Sequence, residues 1–251
     1  MKGGVPMTAN NVQTNHNVHR KEGGLQSPDL LMRHPGVAVT IILLCCAIFG
    51  ILAYFVLQKG SLDQWDLDMA NRMHTTALAS PAWMKNVMLA GYYIGQHGYI
   101  ATGIILGLYF LFKRYWKEFF MVIVLYIGQG ILFLNLTSLF ARPRPTFAVN
   151  IGNVISYKSF PSGHMISSAI MFGLLAYFIV PKISSRAGKA AAILLAVLFV
   201  LFIGYSRFFM GAHYITDVIA GTVLGVAWFC LAIISIEMIS GKVGKKHEQE
   251  K

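Results

Sequence analysis

VAVTIILLCCAIFGILAYFVL, Val37 to Leu57, is the stretch that decides the class of fold. It runs for 21 residues without a charge, and at about 1.5 Å per residue such a helix crosses a bilayer core of about 30 Å. No small-residue cleavage site follows it, so it reads as an anchor that stays in the mature protein. The polar stretch before it, 1–36, reads as a disordered cytoplasmic tail, too long and too polar for the n-region of a signal peptide. Five further apolar runs follow: Tyr92 to Phe112, Phe119 to Phe140, Met165 to Val180, Ala190 to Tyr205 and Tyr214 to Ile239. The fourth and fifth of the six spans are short, at 16 residues each, and are expected to begin inside protein or at a water-lined pocket.

The rest of the composition agrees. Of 251 residues, 56% are hydrophobic and 12% charged, whereas soluble domains carry about twice that share of charge. This excludes a disordered protein and argues against a water-soluble enzyme. The net charge of +11 is placed better by the positive-inside rule than by a nucleic-acid partner. Fourteen of the 21 Lys and Arg lie in the N-terminal tail, the 113–118 and 181–189 loops and the C-terminus. Both termini are therefore expected to be cytoplasmic. The expected fold is all-α: a six-helix integral membrane bundle over 37–240 with a cytoplasmic basic tail, 241–251.

The long outer loop, 58–91, is expected to hold two amphipathic helices, lying in the headgroup interface or packed on the bundle as ordinary loop helices. Ser61-Leu62-Asp63-Gln64 resembles a capping box, and Ser80-Pro81 fits a helix start. Adjacent Cys45 and Cys46 and distant Cys230 suggest neither a disulfide framework nor a metal cluster. His74, His97 and the aromatic residues Tyr205, Phe208, Phe209 and Tyr214 read as interfacial.

The chemistry gathers on the outer side. Arg142-Pro143-Arg144-Pro145 follows the third span, Pro161-Ser162-Gly163-His164 opens the fourth, Ser206-Arg207 ends the fifth, and His213 and Asp217 open the sixth. Arginine suits phosphate because its planar fork is permanently charged, and a helix start preceded by Gly offers free N–H groups to an anion. His213 and Asp217, four apart, share a helix face. A carboxylate accepting from one imidazole nitrogen leaves the other free to attack phosphorus. His164 is then the general acid that protonates the departing oxygen. No cluster of carboxylates for magnesium is evident, so the site reads as metal-free and without a cofactor.

Arg144-Pro145, Pro161-Ser162-Gly163-His164 and Ser206-Arg207 with His213 and Asp217 resemble, in order, the three signature motifs of the type 2 phosphatidic acid phosphatases. That superfamily also includes vanadium-dependent haloperoxidases and bacterial acid phosphatases, and the likeness covers roughly 40–240. It implies a phosphohistidine on His213 oriented by Asp217, His164 as acid, and Arg144, Arg207, Ser162 and the Gly163 amide around the phosphate oxygens. One position departs. The family's first motif starts with Lys seven residues before the Arg of Arg-Pro, and here that residue is Thr137. Losing a charge-assisted bond costs phosphate binding about 1.5–3 kcal/mol. Arg142 and Lys158 are the nearest outer basic residues that could substitute, and Ser206 either contacts phosphate or packs.

The leading expectation is a plasma-membrane lipid phosphatase working at the outer face. Its candidate substrates are undecaprenyl diphosphate, phosphatidic acid and phosphatidylglycerophosphate. A lipid phosphotransferase with the same phosphohistidine, or a weakened lipid-phosphate-binding protein, are the alternatives. The expected partners are the lipid substrate and membrane lipids, with no nucleic acid.

Overall fold

The structure, a computed structural model, describes residues 35–145 and 158–249, of which 241–249 by backbone alone. Apart from its last two residues, the expected 1–36 tail lies outside the described residues. Seven helices are described: α1 (Pro35–Gln58), α2 (Ser61–Ala79), α3 (Ala82–Phe112), α4 (Trp116–Phe140), α5 (Gly163–Ile179), α6 (Arg186–Phe209) and α7 (Ile215–Gln249). All but α2 are long and apolar enough to cross a membrane. Among the described residues the only strand-like pairing is one antiparallel bridge, Pro143 to Lys158. Cys45, Cys46 and Cys230 are free thiols.

Four features of these elements differ from the sequence reading. The second loop helix does not lie apart, because nothing between Ala82 and Phe112 breaks the chain. A single π turn, Ile94–Gly98, joins it to the span, as such turns do inside longer α-helices. The fifth span is not 16 residues but 24, Arg186–Phe209. It continues through Ser206 and Arg207 because both side chains are buried against protein. At Ser61 the N-cap is Gly60 with no side-chain cap bond, and Asp63 is engaged elsewhere, as described below. At the far end, α7 continues into the 241–251 tail as far as Gln249.

α5 is the central helix, with half of its membrane window buried, against 17% for α1 and 11% for α6. The outer helices expose apolar faces, such as Leu43, Leu44 and Ile51 on α1 and Leu194, Leu198 and Leu201 on α6. That is the surface lipid accepts without penalty. Ile166, Ile170 and Leu174 of α5 are fully buried against Met121 and Leu125 of α4 and Ile233 of α7.

Two glycines set how closely α7 approaches α5. A Cβ on Gly225 would lie 2.8 Å from the Ile166 carbonyl oxygen and from Ala169 Cβ, and one on Gly221 would meet the Ser162 carbonyl. Such small-xxx-small stripes let helix backbones approach within a membrane. The Ser162 N–H then donates to the Asp217 carbonyl at 3.1 Å, tying the first turns of α5 and α7 together.

Gly225→Leu is therefore expected to destabilise the bundle by about 1–3 kcal/mol, the usual cost of overpacking. Gly50→Ala, whose added Cβ meets nothing within 4 Å, should not lower the melting temperature in detergent.

Candidate active site

The first turn of α7 carries Asp217, which is fully buried. Its Oδ2 accepts from the Tyr214 N–H at 2.9 Å, and its Oδ1 accepts from Arg142 Nη1 at 2.7 Å. A buried carboxylate demands such partners. Arg142 is equally committed. Nη1 also donates to Thr216 Oγ1 at 2.8 Å, Nη2 donates to Asp63 at 2.6 Å and Asp66 at 2.9 Å, and the guanidinium lies over the Tyr214 ring at 4.2 Å. Burial opposes the Arg142 charge, but Asp217 and Asp66 outweigh it and hold the guanidinium above its ordinary value. Arg142 is thus not the substitute phosphate ligand that its sequence position suggested. Its donors are taken by carboxylates.

His213, 2% exposed, lies just before α7. Nδ1 is 2.8 Å from the Ser159 carbonyl oxygen, and Asp217 Oδ2 is farther away, at 3.7 Å. A carbonyl only accepts, so the hydrogen sits on Nδ1 and the Nε2 lone pair is left outward. The direct orienting partner is the backbone of Ser159, with Asp217 behind it. Ser159 is itself fixed, its N–H donating to the Arg142 carbonyl at 2.7 Å and its hydroxyl to the Pro143 carbonyl at 3.0 Å. Nε2 faces Arg144 Nη1 at 3.1 Å, and Arg144 Nη1 donates to the Ala212 carbonyl at 2.6 Å. Burial and the neighbouring Arg144 charge push the imidazole down to about 4, with Asp217 pulling the other way. At neutral pH the ring is therefore uncharged.

Two more elements reach this point. The buried Ser162 precedes Gly163 and His164 at the start of α5. Arg207, 2% exposed, comes from the last turn of α6. Its Nε donates to Ser206 Oγ at 3.4 Å and its guanidinium lies 4.7 Å over the Tyr92 ring. Ser206 in turn donates to the Ile203 carbonyl at 2.9 Å, so it orients Arg207. Gly91 permits this: a Cβ there would lie 2.6 Å from the Ser206 hydroxyl. The Tyr92 ring is 5.2 Å from that of His164, so one aromatic side chain spaces the arginine from the histidine.

Four buried polar atoms have no hydrogen-bond partner among the described residues: Ser162 Oγ, His164 Nε2, Ser168 Oγ and Arg207 Nη2. Buried polar groups are ordinarily satisfied, and this set, with Arg144, offers donors that suit an oxyanion. Thr137 adds no charge. Its hydroxyl donates back to the Phe133 carbonyl at 2.8 Å, on the helix face where Phe133 covers Gly163. Lys158 is held in the bridge to Pro143.

The sequence reading missed Ser159, Tyr92, Ser168, Thr216, Asp63 and Asp66. Ser168 carried a readable signal, standing four residues after His164 and so on the same helix face. Ser159 acts through its carbonyl, which has no side-chain signature, and Tyr92, Asp63 and Asp66 come from segments remote in sequence.

Residues 115–239 match the PAP2 superfamily, a region that holds Arg144, Ser162, His164, Arg207, His213 and Asp217. The chain is similar to phosphatidylglycerophosphatase B of Bacillus subtilis (strain 168), at 30% identity over 189 residues, covering 68% of this chain and 91% of the relative. It also resembles the crystal structure of a transmembrane PAP2-type phosphatidylglycerolphosphate phosphatase from Bacillus subtilis. There the TM-score is 0.67 at 26% identity, over 80% of this chain and 96% of the other. A six-span bundle, a site assembled at one of its ends and these likenesses agree that the chain is a multi-pass membrane phosphatase belonging to the PAP2 superfamily.

Proposed function

We propose that the protein hydrolyses the phosphomonoester of a membrane glycerophospholipid, phosphatidylglycerophosphate before phosphatidic acid, through a phosphohistidine formed on His213. The observation that carries this reading is the set of buried donors without protein partners, Ser162 Oγ, His164 Nε2 and Arg207 Nη2, around a neutral imidazole. The two relatives named above are described as acting on phosphatidylglycerophosphate, which supports that lipid. Charge supports a monoester over undecaprenyl diphosphate. With Thr137 at the lysine position and Arg142 taken by carboxylates, Arg144 and Arg207 are the cations brought to phosphate, and they balance a dianion.

The His213 Nε2 lone pair attacks phosphorus, the P–O bond to the lipid breaks, and protonated His164 gives its proton to the leaving alkoxide. Arg144, Arg207, Ser162 and the Gly163 N–H stabilise the charge spread over the transferring group. Water, losing a proton to His164, then attacks the phosphohistidine. The P–N bond breaks and inorganic phosphate leaves. These groups supply the nucleophile, the acid and the positive charge, so the proposed steps call on no metal. The positive-inside count supports cytoplasmic termini and a site at the outer face of the plasma membrane.

His213→Ala is expected to lower phosphate release from phosphatidylglycerophosphate in detergent micelles by about 10³-fold or more while the protein keeps its elution volume. Wild-type turnover in that variant overturns the nucleophile assignment. Wild-type activity should persist in EDTA, and strict dependence on added Mg²⁺ would exclude the metal-free route.

His213 also links stability to pH. Above pH 6.5 the ring is neutral in folded and unfolded chains alike, whereas below it the unfolded chain takes the proton first, because the folded value is about 4. Stability should therefore drain as pH falls from 6.5 to 4, by about 3 kcal/mol in all. The melting temperature of His213→Gln should lack this part of the slope.

Thr137 favours one other reading, a weakened binder of lipid phosphates. Thr137→Lys separates the two. In an enzyme it should lower KM about threefold or more with little change in kcat, the mark of added uniform binding. If wild type turns over none of the three lipids and Thr137→Lys does, the binder reading stands.

A further inference from the structure

α2 supplies no atom to the reacting centre, yet its most deeply buried side chain is a carboxylate. Asp66 is fully buried, while Trp65 beside it is 44% exposed. Asp66 accepts from the Thr216 N–H at 3.3 Å, from the Thr216 hydroxyl, and from Arg142 Nη2 at 2.9 Å. Asp63, one turn earlier, accepts from the same Nη2 at 2.6 Å. A loop helix that needed only anchorage would bury apolar side chains, because burying an ion pair brings a large desolvation cost.

The guanidinium is a bridge. Its Nη2 faces α2, its Nη1 faces Asp217 Oδ1 at 2.7 Å, and Asp217 Oδ2 is 3.7 Å from His213 Nδ1. We propose that Asp66 is a positioning residue for the reaction, acting through Arg142 to set how much of the negative charge of Asp217 reaches the His213 imidazole. This rests on His213 as nucleophile. Bound to Asp217 alone, the single positive charge of Arg142 would cancel that carboxylate. Shared with Asp66 and Asp63, it leaves Asp217 with negative charge to stabilise the imidazolium that develops as the P–N bond forms. Asp66 also fixes Thr216, the residue preceding Asp217, and so holds the first turn of α7 in place.

Other charges face these groups. Arg144 from the 141–145 segment and Arg207 from α6 disfavour a protonated His213, and His164 from α5 faces it. Asp66 is faced by Arg142 and Thr216, and Tyr214 shares the same cluster with Asp63 and Asp217. Arg144, Arg207, His164 and Asp217 lie outside α2 and are unchanged when α2 alone is altered, so the α2 carboxylates can be tested separately.

The test is Asp66→Asn in the full chain, assayed on phosphatidylglycerophosphate in detergent micelles with kcat, KM and the pH profile of kcat/KM measured. Removing the carboxylate returns the charge of Arg142 to Asp217. Expected are a kcat about tenfold lower, a KM within about threefold of wild type, and an acid limb displaced to lower pH by about half a unit. Asp63→Asn should move the same quantities in the same direction by less. Asp68→Asn, which alters an exposed contact with Gln64, should move none. If Asp66→Asn does not fold, Asp63→Asn decides on the same readouts. A folded variant with wild-type kcat and acid limb overturns the proposal. So does activity that falls only with the folded fraction while the limb stays put, since that describes an anchor. If His213→Ala is active, the nucleophile assignment fails first, and that result is separate from these.

Discussion

The Asp217 carboxylate, fully buried at the start of α7, joins parts of the chain that are far apart in sequence. Oδ1 receives Arg142 from the segment after α4, Oδ2 receives the Tyr214 N–H, and the Asp217 main-chain carbonyl receives the Ser162 N–H at the start of α5. An ionised group taken out of water must collect such partners or lose its charge. Satisfying one carboxylate thus brings the start of α5, the 141–145 segment and the His213 turn to one place. Gly221 and Gly225 allow it, because a side chain at either would hold α7 away from α5.

Arginines of the same composition are sorted here by what surrounds them. Arg142 faces Asp63, Asp66 and Asp217, and its charge is spent inside the protein. Arg207 lies on a tyrosine face and a serine hydroxyl, and one of its terminal nitrogens has no described partner. Neutral partners fix its direction without neutralising it, which suits a group that must meet an anion in a low-dielectric setting. The same positive surroundings, together with burial, keep His213 neutral. The residues proposed to bind the phosphate therefore also keep the lone pair of the proposed nucleophile available.

How much of this was legible follows from the kind of signal each residue carries. Val37 to Leu57 announced a membrane span through length and apolarity alone, and α1 covers it. The alternation of spans put Arg144, His164, Arg207 and His213 at one end of the bundle before any contact was known. The end of α6 was misjudged because a polar Ser206-Arg207 pair looks like a helix leaving the membrane. It is in fact covered by Tyr92 and the approach of Gly91. Ser61 to Gln64 looked like a capping box because spacing within a helix is visible in sequence, and the pairing of Asp63 with Arg142 across 79 residues is not. The Ser159 carbonyl could not be read at all, since every residue has one.

Thr137 shows how the fold and the site make different demands on one position. In the substrate-free protein a buried ammonium there would need its own counter-charge, an expensive requirement within a membrane. The threonine hydroxyl instead donates to the Phe133 carbonyl of its own helix, and the position is satisfied with no substrate present. Arg142 cannot supply the missing charge, because releasing it would leave Asp63, Asp66 and Asp217 without their shared cation. On the proposed function the deficit falls on phosphate affinity, and the bundle that brings His213, His164 and Arg207 together does not depend on it.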